Sequence, residues 1–117
     1  MKRPLKYKNV PTVVDGIRFA SKAEAKRYGE LKFLENIGNI QDLRLQPRYP
    51  LRHDVSGALV GTYVGDFAYT EIIHGPQSIG ERRVVEDVKG VETMVFKLKK
   101  KLFQYCYPGI ELRVIRA

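Results

Sequence analysis

Apolar and polar residues follow two different periods along this chain, and the switches between them mark its elements. Val13-Val14, Asp15-Gly16 and Ile17 to Phe19 read as a short hairpin, because Asp-Gly supplies the positive φ of a tight turn. Ser21-Lys22-Ala23-Glu24 has the form of a capping box. It opens a helix predicted to reach residue 37, with Gly38 as its stop. Strand patterns follow within residues 40–52, bent or bulged near Pro47, then over residues 59–73 centred on TYVGDFAY, then over residues 82–89. Residues 74–80 (HGPQSIG) are turn-rich. A second helix is predicted over residues 93–107, stopped by Pro108-Gly109, and a last strand over residues 110–115. The order is helix, three strands, helix, strand. It predicts a mixed α/β (α+β) sandwich with helices packed on a sheet.

The helical wheels add detail. In the first helix Glu24 falls between Ala23 and Tyr28, beside Leu31, within the apolar face. A glutamate there is unusual without a partner, although completing the capping box would alone explain it. Glu35 shares the stripe three turns away. In the second helix Met94, Val95, Leu98, Leu102, Tyr105 and Cys106 form the main apolar arc. Phe96, Phe103 and Tyr107 form a second group. Lys97, Lys100, Lys101 and Gln104 make a polar stripe suited to phosphate contacts. Lys99 falls between the two apolar groups, where it either reaches inward or snorkels to water.

Composition narrows the function. The 117 residues suit one domain over 1–117, with residues 1–9 as a basic arm. No apolar stretch is long enough to span a bilayer, and the N-terminal residues lack the pattern of a signal peptide. A lone Cys106 fits a reducing interior, and two distant histidines make a weak zinc site. A cytoplasmic location, in a phage-infected or bacterial cell, is the expectation. The net charge of +8 is unevenly spread. Residues 1–53 carry 12 basic and 5 acidic side chains, residues 54–88 carry 2 and 6, and residues 89–117 carry 7 and 2. Basic flanks suit a nucleic acid, whereas an acidic centre between them would repel phosphate unless a cation intervened. Excess lysine that merely solubilises a small domain is the plainer alternative.

The acidic centre has internal order. Strand alternation puts Val64, Asp66 and Ala68 on one side of the second strand, with Tyr63, Gly65 and Phe67 on the other. On the third strand Asp87 and Lys89 share a face, and Glu86 points away as an outer ligand or a surface charge. If these strands pair, Asp66 comes beside Asp87. Two such carboxylates repel, a cost that Mg²⁺ removes, and the lysine could orient water or steady charge on phosphate oxygens. A half-exposed Asp87–Lys89 ion pair with no chemistry explains the spacing equally well. Gln46, in LRLQP, could line the same cleft.

Together these segments resemble the PD-(D/E)XK nuclease superfamily, and more narrowly a small phage-encoded family within it known as a domain of unknown function. The resemblance runs from KYKNVPTVVDGIRFASKAEAKRY through LRLQP, YVGDFAY and VVEDVKG to FKLKKKLF. It implies a restriction-endonuclease-like αβββαβ core. It also implies a catalytic set of Glu24, Asp66, Asp87 and Lys89, with Glu24, Asp66 and Asp87 holding Mg²⁺, for which Mn²⁺ would substitute. Gly65 stands where the superfamily's proline would be. The activity implied is metal-dependent endonucleolytic hydrolysis of DNA, with branched recombination intermediates among the substrates such phage enzymes take. Gln46, Lys97, Lys99, Lys100 and Lys101 would touch the nucleic acid, and paired cuts would require a homodimer. A catalytically silent nucleic-acid-binding module on the same fold is the alternative.

Overall fold

The structure is a computed structural model, and it describes residues 10–117; the basic arm at residues 1–9 lies outside the described residues. Ten elements follow in order. They are β1 (Thr12–Val14), β2 (Ile17–Phe19), α1 (Lys22–Asn36), β3 (Ile40–Leu45), β4 (Arg48–Arg52), β5 (Leu59–Val64), β6 (Phe67–His74), β7 (Ile79–Lys89), α2 (Met94–Cys106) and β8 (Ile110–Arg116). The chain is a mixed α+β protein, and its main sheet has the strand order β3-β6-β7-β8. β3, β6 and β7 pair antiparallel and β8 runs parallel to β7. Helix α1, these strands and α2 thus reproduce the predicted order of helix, three strands, helix, strand.

The local signals act where the sequence puts them. Asp15 and Gly16 both have positive φ at the β1–β2 turn, and the Tyr28 hydroxyl donates to Asp15 at 3.1 Å, tying that hairpin to α1. Ser21 caps α1 by accepting the Glu24 N–H at 3.1 Å. Gly38 follows the helix at a φ of 82°, a conformation that favours glycine.

Two predicted strands are each broken in the middle. Residues 40–52 form β3 and β4, and residues 59–73 form β5 and most of β6, with the outer halves β4 and β5 pairing as a separate ribbon. The four pieces are one long antiparallel hairpin bent sharply across both strands. Pairing continues through the bend: Gln46 N–H donates to Asp66 O at 2.9 Å, and Gly65 N–H to Pro47 O at 3.0 Å. Gln46 takes a positive φ of 48° there. Gly65 has no room for a side chain, since a Cβ would stand 2.7 Å from Val85 Cγ1. The bend resets the side-chain alternation, so Asp66 and Tyr63 do not follow a single-strand pattern.

The sheet is covered on both faces. Phe67, Tyr69 and Val84 pack with Ala25, Tyr28 and Leu31 of α1 and with Phe19 of β2. On the other face Ala68, Val85 and Leu112 pack with Phe96 and Phe103 of α2 and with Leu51 and Tyr63 of the ribbon. Helix α2 is rotated from the sequence expectation. Its aromatic group faces the core, with Phe103 fully buried against Tyr49, Tyr63 and Tyr107. Met94, Val95, Leu98 and Tyr105 of the main apolar arc are exposed. Large rings bury more apolar area than the main arc offers, and the ribbon supplies aromatic partners only to the aromatic side.

Glu86 overturns its assignment as a surface charge or an outer ligand. It is fully buried. Arg27 of α1 binds it with both arms, Nε to Oε1 at 2.7 Å and Nη2 to Oε2 at 2.6 Å, and the Tyr69 hydroxyl also donates to it. Removing one member of such a pair strands a buried charge. Arg27→Ala should therefore lower the unfolding free energy by about 3–5 kcal/mol. Urea denaturation checks this; a loss under about 1 kcal/mol, the range of exposed pairs, would contradict it.

Candidate active site

The site forms where the bend of the hairpin meets the end of β7 and the start of α1. Asp66 sits in the break between β5 and β6. Its backbone N–H donates to Glu86 O at 2.9 Å, and its Oδ2 accepts the Val88 N–H at 2.7 Å. It is clamped to β7 on both sides of Asp87. Asp87 is almost fully buried. Its Oδ1 lies 3.5 Å from Lys89 Nζ, and the Tyr63 hydroxyl donates to its Oδ2. Lys89 is half-buried, with its ammonium 4.8 Å from the centroid of the Phe96 ring. A cation over that ring face is held electrostatically.

Glu24 comes from the other side. Helix α1 covers the sheet face opposite the one from which Asp87 projects, so Glu24 approaches over the strand ends. It lines a hollow of about 390 Å³ with Lys89 and Val88, and a second of about 180 Å³ with Asp66 and Gln46. Asp87 and Lys89 line a third, of about 250 Å³, with Tyr63 and Lys99. Glu24 thus lines one hollow with Lys89 and another with Asp66, while Asp87 shares a third with Lys89. Among the described residues, however, no three acidic, histidine or cysteine side chains are gathered as a ready-made metal cage.

The electrostatics are consistent across the three acids. Burial pushes the Asp87 carboxyl up to about 6, against the pull of Lys89. Burial also raises Asp66, opposed by the Val88 N–H and Lys89. Glu24 is raised by burial and then by the charge of Asp66. Each carboxylate is therefore ionised at a cost near neutrality, the condition that a bound divalent cation relieves. Their oxygens are hard donors of the kind Mg²⁺ takes.

The remaining sequence assignments divide. Gln46 stands beside Glu24 and Asp66, and Lys99 beside Asp87. Lys97, Lys100 and Lys101 line a separate hollow on the outer side of α2, where Lys100 lies 3.9 Å from Glu92. Glu35 plays no part in the site; it pairs with Lys32 and accepts the Leu43 N–H. Tyr63 was missed. Reading residues 59–73 as one strand put it across the sheet from Asp66, and only the Gly65–Asp66 break brings it to Asp87.

The chain matches a family model over residues 4–117 and belongs to that family, described as Protein of unknown function (DUF1064). Comparison with curated proteins found no match, and comparison with solved structures found none. No helix among the described residues is long and apolar enough to cross a membrane.

The raised Asp87 carboxyl has a consequence for stability. Its contribution is present when protonated, below the unfolded value near 4, and is lost as the pH rises through about 6. Asp87→Asn should therefore match wild type near pH 4 and exceed it by about 2–3 kcal/mol at pH 7.5 in EDTA. Urea titrations at several pH values measure this, and an advantage that shrinks with rising pH would refute it.

Proposed function

We propose that this protein is a metal-dependent endonuclease that hydrolyses DNA phosphodiesters, a member of the PD-(D/E)XK superfamily that its sequence resembles. One observation carries the reading: Asp87 and Lys89 stand 3.5 Å apart at a strand end, with Asp66 clamped to the residue between them. Asp66, Asp87 and Glu24 would hold Mg²⁺ or Mn²⁺. Such an ion, when bound, neutralises charge on the phosphate and lowers the pKa of its bound water.

The side chains of this chain then have separable tasks. Tyr63 fixes one Asp87 oxygen and leaves the other turned toward Lys89. The Val88 N–H fixes Asp66 in the same way. Lys89, anchored over Phe96, presents ammonium protons to the attacking water or to a phosphate oxygen as negative charge builds there. Lys99 and Gln46, at either side, are placed to touch the flanking backbone. The charge of +8 favours a polyanion through contacts that carry no base sequence. Branched recombination intermediates are the substrate class suggested by resemblance, and paired cuts would require two copies of the chain.

A catalytically silent DNA-binding module is the second reading, favoured by the lack of a ready-made cage among the described residues. Cleavage of linear, flap and junction DNA with Mg²⁺ separates the two. Asp87→Ala should abolish cleavage while keeping or raising DNA affinity, because it removes negative charge beside phosphate. Lys89→Ala should slow cleavage about 10²–10³-fold while calorimetry still detects Mg²⁺ binding. Wild-type rates from Lys89→Ala would move the silent module ahead.

A further inference from the structure

A further polar hollow, of about 200 Å³, opens on the face of the sheet that carries Asp87, but farther along β7. Its floor is Ala68 and Thr70 of β6, two small side chains on one face of the strand. Arg44 of β3 pairs opposite Ala68, and Arg83 of β7 pairs opposite Thr70. Cross-strand partners share a face, so both guanidinium groups rise beside this floor from its two sides. Tyr49 of the ribbon borders the hollow. Both arginines act on its phenol, opposing the upward push of burial.

What sets these arginines apart is that they share one hollow with no carboxylate among the described residues within ion-pair distance of either; Arg18, Arg48 and Arg52 also lack such a partner but do not line it. Arg27, Arg82, Arg113 and Arg116 each meet a carboxylate. Among the described residues Arg44 and Arg83 meet none within ion-pair distance, and Asp42 at the rim comes that close to neither. Two like charges over one small-residue floor repel each other, and an anion between them relieves that repulsion. Planar guanidinium forks match phosphate oxygens in pairs, and a phenol adds a further donor.

We infer that Arg44, Arg83 and Tyr49 form a phosphate-binding subsite distinct from the acidic site. Arg83 precedes Asp87 by four residues on β7, about 13 Å at the usual strand rise. The ribbon residues Leu51 and Tyr63 pack against the sheet face between them. The ligand is a phosphate group, supplied either by a nucleic-acid backbone or as a free anion. The inference does not depend on cleavage, so its test is run in EDTA.

The side-chain Nε signals of the arginines are followed by NMR while inorganic phosphate is added. The signals of Arg44 and Arg83 should move at millimolar phosphate, and sodium chloride at matched ionic strength should move neither. Arg83→Gln should abolish the response of Arg44, and Arg44→Gln that of Arg83, with melting curves unchanged because both side chains are exposed. A labelled DNA duplex then identifies the source. If the phosphate is a backbone phosphate, each variant binds several-fold more weakly and its salt slope falls by about one. If DNA affinity is unchanged while the phosphate response persists, the subsite takes the free anion. If phosphate moves neither signal, the inference is overturned, whatever the outcome of the cleavage assays.

Discussion

The buried pairing of Glu86 with Arg27 is the constraint on which the rest of the molecule depends. A carboxylate with no solvent exposure in the central strand is tolerable only if its charge is matched, and α1 supplies the match with a two-armed contact. That contact fixes how α1 is turned against the sheet. Arg27 lies one helical turn after Glu24, so the same rotation that satisfies Glu86 determines where Glu24 stands. The backbone carbonyl of Glu86 also accepts the Asp66 N–H. One residue without a reactive role thus ties both α1, which carries Glu24, and the bend at Asp66 to the strand that carries Asp87, its neighbour in the chain.

The bent hairpin supplies the other half of the arrangement. A regular strand would have given Asp66 a place in the pleat, with a neighbour on each side. Instead the bend at Gln46-Pro47 and Gly65-Asp66 takes it out of the strand and turns its carboxylate onto the Val88 N–H. Where Val85 presses against the bend, glycine removes the side chain altogether.

Much of this could be read from the residues alone, and the exceptions have physical causes. Turn and cap residues act locally, so Asp15-Gly16, Ser21 and Gly38 marked their boundaries correctly. Asp87 and Lys89 shared a face because β7 is regular through both. The alternation failed at Asp66, since a single-strand pattern assumes unbroken pleating and the chain bends at Gly65-Asp66. Glu86 was misjudged because its partner lies on α1, 59 residues away. Helix α2 offered two apolar faces, and the choice between them was made by Tyr49 and Tyr63 of a ribbon whose existence the pattern did not show.

The parallel pairing of β7 with β8 bears on how the chain comes to be folded during synthesis. β7 carries Asp87 and Lys89, yet its neighbour on one side is β8, reached only after α2 has crossed over. Until Ile110 and the residues after it emerge from the ribosome, β7 is an open edge with unpaired backbone groups. A nascent chain stalled within α2 would hold Asp87 and Lys89 on a strand paired only with β6. The strand that carries Asp87 and Lys89 therefore gains its second neighbour only after α2 has been made.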